Sequence, residues 1–502
     1  MVFQAPDNKE RRRLLHHQLE AHFHQDRLLR TPKKNADGAQ AIEISRASGS
    51  SEQFRRQEAS RNRQSPCDHI HFTLYKENMD TMEVVNNMGG FLRVPPRCIQ
   101  YAGVKDKRAK TVQRVSIKFR DPQRLAQFSR NSIRLGNFTF EKEPLHLGDL
   151  TGNYFRLVIR NVTADEDTIR ASTDAFVKQG FVNYFGLQRF GTTEVSTVEV
   201  GKALLKADWN AAVEAIMKER SNEHERVQRC RKVWAETKDA EAALKAIGNR
   251  SCIEAQLLQG LARSHKNDPF GAIQNISRNT RLMYVHSYQS YLWNLAVSYR
   301  LRTLGRKPAA GDLVVRSSAE PSAKRLRTSE KQEDDVVVVT SDNVEQYSFS
   351  DVVMPIPGYD VQYPDNAVSK YLFELMEADV IDLRAKHKVK DYSLAGCYRR
   401  VICRPTDASW QIIRYNDVNQ DLQLSDLDLL EGKVEEPKKN EGIHTAVAVK
   451  FTLPSSTYAT MAIREMLKRS SDHKFTGKNL TADEPLDQDF VSPESMSEGN
   501  SV

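Results

Sequence analysis

Apolar residues recur at every second position in three stretches of the chain. His71–Tyr75 reads as a short strand. Thr111–Phe119 sets Val115, Ile117 and Phe119 opposite Arg114, Ser116 and Lys118, and Asn153–Arg160 aligns Phe155, Leu157 and Ile159. A period of two predicts half-buried strands. Thr163-Ala-Asp-Glu166 then reads as a capping box opening a helix, with Gly180 as its stop. From about Thr197 the period lengthens. Ala203–Met217 and Val227–Ile247, rich in Ala, Leu, Lys and Glu, carry apolar residues three or four apart and predict helices. Strands return at Trp410–Tyr415 and His444–Phe451, and a helix is expected over Ala459–Lys468. The pattern predicts an α+β protein, with a largely helical insert between two α+β halves.

Length and composition narrow this. At ~100–200 residues per domain, 502 residues allow two to four domains. A hydrophobic content of 39% supports real cores, while 28% charged residues imply much solvated surface. Lys+Arg 74 against Asp+Glu 66 leaves only +8, which tolerates a nucleic-acid partner without demonstrating one. The charge is uneven. Residues 1–66 hold thirteen Lys/Arg against eight Asp/Glu and read as a basic, poorly ordered arm, with a helical signal over Arg11–His24. From Asp483 to the end there are six acids and no base, which makes 477–502 a disordered acidic tail. Arg316–Asp335 is a low-complexity insert. Its Ala323-Lys-Arg-Leu-Arg327 run fits a nuclear import signal or a solvated linker. Six cysteines without a CxxC pair offer neither a disulfide framework nor a zinc knuckle, so reduced intracellular thiols are expected. No run of ~18 apolar residues predicts a membrane-spanning helix, and the Arg-rich start lacks the apolar core of a secretory signal.

The signatures of phosphate loops, dinucleotide folds, zinc hydrolases and serine hydrolases are missing from the sequence. Chemistry run on side chains alone remains. Tyr101–Gln113 sets one carboxylate, Asp106, among Lys105, Lys107 and Arg108, in a glycine-containing loop that feeds a strand. That suits a nucleophile or base working beside a polyanion, with the cations gripping phosphate. Spacing alone also fits a charged surface turn. Asn183-Tyr-Phe-Gly-Leu-Gln-Arg-Phe-Gly191 mixes aromatics with amides and an arginine, as a wall stacking an unpaired base would. A core-facing aromatic turn is the other reading. Val285–Asn294 reads as a helix with a polar face, where His286 and Gln289, then Gln289 and Trp293, lie one turn apart. Met354-Pro-Ile-Pro-Gly358 is a loop signal.

In this order, these segments resemble the TruD-type pseudouridine synthases, nearest their eukaryotic members. The matching stretches are His71–Thr81, Tyr101–Gln113, Leu147–Asn153, Asn183–Gly191, His286–Asn294, Met354–Asp360, Leu394–Arg400 and Phe451–Thr460. The resemblance implies a pseudouridine-synthase catalytic domain with a mixed, mainly antiparallel sheet, interrupted by a largely helical TRUD insertion domain. The expected division is 67–196 and 394–476 for the catalytic domain and 197–393 for the insertion, with RNA in the cleft between the lobes. It further implies an isomerase that turns uridine into pseudouridine without metal, nucleotide or organic cofactor.

By the same resemblance Asp106 is the catalytic group. Asn183 and Phe185 would orient it and stack on the target base. Lys105 and Arg108 would hold the flanking backbone, and Gln188 and Arg189 would complete the wall as scaffold. The expected partner is RNA (transfer RNA, with messenger or small nuclear RNA as further candidates), no membrane is implied, and the expected location is the nucleus, with the cytoplasm as a second site. One departure stands out. The family's upstream Asp-Phe-x-Val-x-Glu strand has no counterpart here, and the nearest stretch, Ala41-Ile-Glu-Ile-Ser45, lacks the Phe. Either the sequence begins late or the arm has diverged. The alternative expectation is therefore a non-catalytic RNA-binding protein on the same fold.

Overall fold

Ile70, Phe72 and Leu74 point one way along the first strand of the folded body and are fully buried, as alternation requires. The computed structural model describes residues 69–468, apart from 119–121, 129–131, 192–194, 221–222, 249–251, 264–267, 316–335 and 435–440. It also describes three strands nearer the N-terminus. Those strands are β1 (Val2–Gln4), β2 (Leu28–Lys34) and β3 (Gln40–Arg46), an antiparallel sheet in the order β1-β3-β2. The expectation of an arm without regular structure therefore needs correcting at these residues. The Ala41–Ser45 stretch lies within β3, where main-chain pairing on both sides overrides a polar composition. The helical reading of Arg11–His24, the insert 316–335 with its basic cluster, and the tail 477–502 lie outside the described residues.

The chain divides into two compact units, Met1–Asp149 and Leu150–Val502. The expected catalytic segment 67–196 is thus split between them. In the first unit, β4 (His69–Glu77) is followed by α1 (Thr81–Leu92), β5 (Ile99–Tyr101), β6 (Lys110–Lys118) and β7 (Ile133–Glu141). The sheet order is β5-β6-β4-β7, antiparallel throughout. Asp80 caps α1, accepting from the Met82 N–H at 2.7 Å. The helix buries Val84, Val85, Met88 and Leu92 against Phe72, Val115 and Ile117 of the sheet, each such side chain contributing about 1.5–3 kcal/mol.

The second unit begins with β8 (Gly152–Ile159), α2 (Glu166–Gln179) and the short β9 (Phe181–Val182). α2 ends at Gly180 as expected, with φ 74°, but its cap is Asp165, which accepts from the Thr168 N–H at 2.8 Å. The Thr163 capping box is two residues out of register. Five helices follow: α3 (Thr197–Leu205), α4 (Trp209–Met217), α5 (Glu225–Thr237), α6 (Ala240–Ile247) and α7 (Ile253–Arg263). The continuous helices read over 203–217 and 227–247 are each broken. Ala207 and Lys238 take positive φ, and Asp208 and Asp239 cap the next helix. After α8 (Pro269–Gln274) comes α9 (Arg278–Leu304), which buries Tyr288, Leu292 and Trp293. α3 crosses it at Gly201, where a Cβ would fall on the Tyr284 carbonyl.

The insertion is not purely helical. β10 (Leu313–Val315), β11 (Val336–Val338) and β12 (Val352–Ile356) lie within it after the helices, and α10 (Ala367–Ala378) follows. Their sheet, in the order β11-β10-β12-β13, is completed by β13 (Cys397–Arg400) beyond the expected boundary. β12 also corrects the loop reading of Met354–Gly358. Pro355 opposes Tyr398 beyond the residues paired with β10, where the missing N–H breaks no second ladder. The short β14 (Ile402–Cys403) pairs with β9. Last come β15 (Thr406–Tyr415), β16 (His444–Pro454) and α11 (Ala459–Leu467). β15, β16 and β8 form one antiparallel sheet, on which Phe176 of α2 and Met461, Ala462 and Met466 of α11 pack with Val449, Phe451 and Leu453.

Candidate active site

Lys105, Asp106 and Arg108 share the loop between β5 and β6 in the first unit. Asp106 and Arg108 are exposed and Lys105 is half-buried. The loop carries no regular hydrogen-bond ladder from Ala102 to Ala109. Main-chain bonds from the Gly148 N–H to the Ala102 carbonyl (2.8 Å) and from the Asn78 N–H to the Ala109 carbonyl (3.0 Å) tie its ends, and side chains beneath it hold its middle. Lys76 of β4 is fully buried and donates from Nζ to the Met79 carbonyl at 2.7 Å and the Asp106 carbonyl at 2.8 Å. Thr81 Oγ1 accepts from the Lys105 N–H at 3.1 Å and donates to Gln113 Oε1 at 3.2 Å. Gln113 Nε2 donates to the Gly103 carbonyl at 3.1 Å. Burial pushes the Lys76 and Lys105 ammonium groups below the usual lysine range, and the nearby Asp106 charge opposes that in both.

Asn183, Phe185, Gln188 and Arg189 lie in the second unit, just after β9. Asn183 and Phe185 are buried. The Arg399 guanidinium on β13 donates from Nε to the Asn183 carbonyl at 2.8 Å and from Nη2 to Asn183 Oδ1 at 2.7 Å. Its Nη1 reaches the Ser456 carbonyl at 2.7 Å. Asn183 Nδ2 in turn donates to the Arg400 carbonyl at 3.2 Å, so the amide orientation is fixed from both ends. Arg399 also sits over the Phe185 ring, 4.2 Å from its centroid, and over Trp293 at 5.3 Å. Trp293 and Tyr458 meet Phe185 edge-on at 5.6 and 6.2 Å. Asn294 of α9 clamps the Phe185 main chain, its Oδ1 accepting from the N–H at 2.9 Å and its Nδ2 donating to the carbonyl at 3.0 Å. Burial lowers the pKa of the Arg399 guanidinium to about 10, and the Arg189 charge adds to that.

The remaining expected residues divide in the same way. Arg189 Nε donates to Ser290 Oγ on α9 at 3.3 Å, which fits a scaffold, whereas Gln188 is exposed. The polar face read over His286–Asn294 is present, with His286 Nδ1 2.7 Å from Gln289 Oε1 and Trp293 Nε1 donating to the Met354 carbonyl at 3.1 Å. Among the described residues no group of three His, Cys, Asp or Glu side chains is placed to hold a metal ion.

Lys76, Thr81, Gln113, Arg399, Asn294 and Tyr458 were not singled out from the sequence. Lys76 had a signal, since it continues the inward register of Ile70, Phe72 and Leu74 with a cation. Arg399 had none, because a Tyr-Arg-Arg run reads as solvated charge.

A family model for tRNA pseudouridine synthase D (TruD) matches residues 48–466. The pseudouridylate synthase 7 homolog of Homo sapiens is 40% identical over 474 residues, covering 93% of this chain and 68% of that protein. The multisubstrate pseudouridine synthase 7 of Schizosaccharomyces pombe is 37% identical over 425 residues, covering 80% of this chain and 62% of its own length. A crystal structure from Methanosarcina mazei, assigned as a tRNA pseudouridine synthase D, shares the fold. Its TM-score is 0.57 over 81% of this chain and 89% of that one, at 24% identity. Fold and relatives together define a pseudouridine synthase, an enzyme that isomerises uridine in RNA. The chain belongs to the TruD family.

Proposed function

We propose that Asp106 is the catalytic group of this synthase and that its substrates are uridines of transfer RNA, with other RNAs as further substrates. The observation that carries the reading is an exposed carboxylate on a loop whose main chain is held from below at residues 103, 105 and 106. The name of the family model specifies tRNA, and that of the fission yeast relative specifies several substrates; both support the choice of RNA.

Asp106 engages the sugar at C1′ or C2′ while the C1′–N1 bond breaks. The freed uracil turns and a C1′–C5 bond forms as the Asp106–C1′ bond breaks or, for engagement at C2′, as the proton that Asp106 removed from C2′ returns to it. The C5 proton leaves to water and N1 takes up a proton. Atoms balance without an oxidant or a cofactor. The target nucleotide has to leave its stack to reach a side chain, and Phe185 with its aromatic neighbours supplies the stacking surface. Asn183 sets the polar edge of that surface, Lys105 and Arg108 hold flanking phosphates, and Gln188 and Arg189 belong to the supporting wall. The basic run around Lys324 and Arg325 supports a nuclear location, checked by imaging the full chain with and without that run.

The deciding assay uses transfer RNA carrying uridine tritiated at C5. Release of the label to water by the full chain, abolished in Asp106→Asn, is the expected result. RNA binding without release would instead favour a non-catalytic binder, the reading suggested by the missing Phe in the Ala41–Ser45 stretch.

A further inference from the structure

We infer that Lys76, Thr81 and Gln113 form a brace that fixes the direction of Asp106, with Lys76 as the principal positioning residue. The inference rests on Asp106 being the catalytic group. It starts from a misfit in the strand pattern. The inward face of β4 runs Ile70, Phe72, Leu74 and then Lys76, and all four are fully buried. A methionine or leucine would fill that last position without desolvating a charge. An ammonium there is costly unless its N–H groups are used.

Both of its hydrogen bonds go to main-chain carbonyls, Met79 just before α1 and Asp106 in the loop. The ammonium therefore ties the start of a rigid helix to the peptide group of the catalytic residue. Asp80, Asp106 and Lys105 are the charged groups that act on it electrostatically. Opposite charges from the first two offset part of the burial cost.

Thr81 and Gln113 complete the device. Thr81 is fully buried and Gln113 nearly so. One hydroxyl serves Lys105 N–H and Gln113 Oε1 at once, and the other end of the amide holds Gly103. Each of residues 103, 105 and 106 thus has one main-chain group pinned to a buried side chain from β4, α1 or β6. These bonds restrain the main chain from which the Asp106 carboxylate projects. A displacement of about 1 Å at a reacting group costs about 10²-fold in rate, so a brace of this kind acts on kcat rather than on RNA affinity.

The test compares Lys76→Met, Thr81→Val and Thr81→Ser in the full chain by tritium release, with kcat and KM measured separately. Thr81→Val keeps the shape and removes the hydroxyl, so it decides the matter if Lys76→Met fails to fold. The expected result is a fall in kcat of at least ~10-fold for Lys76→Met and Thr81→Val, with KM unchanged within ~2-fold and most of kcat recovered in Thr81→Ser. Wild-type kcat in either folded variant, a change in KM alone, or equal loss in Thr81→Ser and Thr81→Val would overturn it. Asp106→Asn separates the two levels. If Asp106→Asn still turns over, the catalytic assignment fails; if it is inactive while the brace variants are normal, only the brace fails.

Discussion

The Asp106 loop and the Asn183–Phe185 segment solve one problem in opposite ways. In the loop the proposed catalytic side chain is exposed and the main chain is held, by Lys76, Thr81 and Gln113. In the segment the side chains proposed for the target base are themselves buried and held, by Arg399, Asn294 and Trp293. Under the proposed roles, a reacting carboxylate is aimed through the main chain that carries it, whereas a base-stacking position is fixed in advance by its own packing. The difference also separates stability from activity. The loop carboxylate is not part of any core, but Asn183, Phe185 and Arg399 are part of theirs.

That contrast fails or holds by mutation. Asp106→Asn should lower kcat by at least ~10⁴-fold while shifting unfolding free energy by less than ~0.5 kcal/mol, read by tritium release and urea denaturation. A large stability loss would mean that the Asp106 carboxylate itself, and not only the main chain beneath it, helps to hold the fold. Arg399→Met comes next. It leaves the Asn183 carbonyl and amide oxygens and the Ser456 carbonyl without their donor, and should cost about 3 kcal/mol with about 10²-fold in kcat. Loss of activity at unchanged stability would put Arg399 in the chemistry instead.

Gly186→Ala is subtler. Its Cβ would come within 2.9 Å of Tyr458 Cδ1 and 3.2 Å of Thr460 Oγ1, so the ring beside Phe185 has to move. About 1–3 kcal/mol of destabilisation is expected, with a KM for RNA that rises more than kcat falls. The smallest effect should come from Lys107→Ala, which removes an exposed cation of the loop. It should leave the melting temperature unchanged, weaken RNA binding a few-fold and reduce the salt dependence of affinity by about one phosphate contact.

How much of this the sequence carried depends on how local the cause was. β4, β6 and β8 were legible because alternation is written within each strand. The helix breaks at Ala207 and Lys238 were not, since neither residue is a turn former and the capping Asp208 and Asp239 are hidden in helix-rich composition. The exposed, cation-flanked loop around Asp106 was legible through its composition and its family motif. The clamp on Phe185 was not, because Asn294 lies 109 residues away and nothing near it names its partner. Lys76 falls between these cases. Its register marked it as inward-facing, but only the fold shows that the loop carbonyl is what it meets.

The β10–β11 hairpin has a use beyond the sheet it completes. Val315 stands opposite Val336 in an antiparallel pair, so the chain departs and comes back at facing positions about 5 Å apart. For a flexible connection between two such facing positions, doubling the length adds only about 0.6 kcal/mol. The facing ends of β10 and β11 therefore mark a point at which evolution can splice new sequence, and an experimenter a reporter or affinity peptide, without renegotiating the sheet.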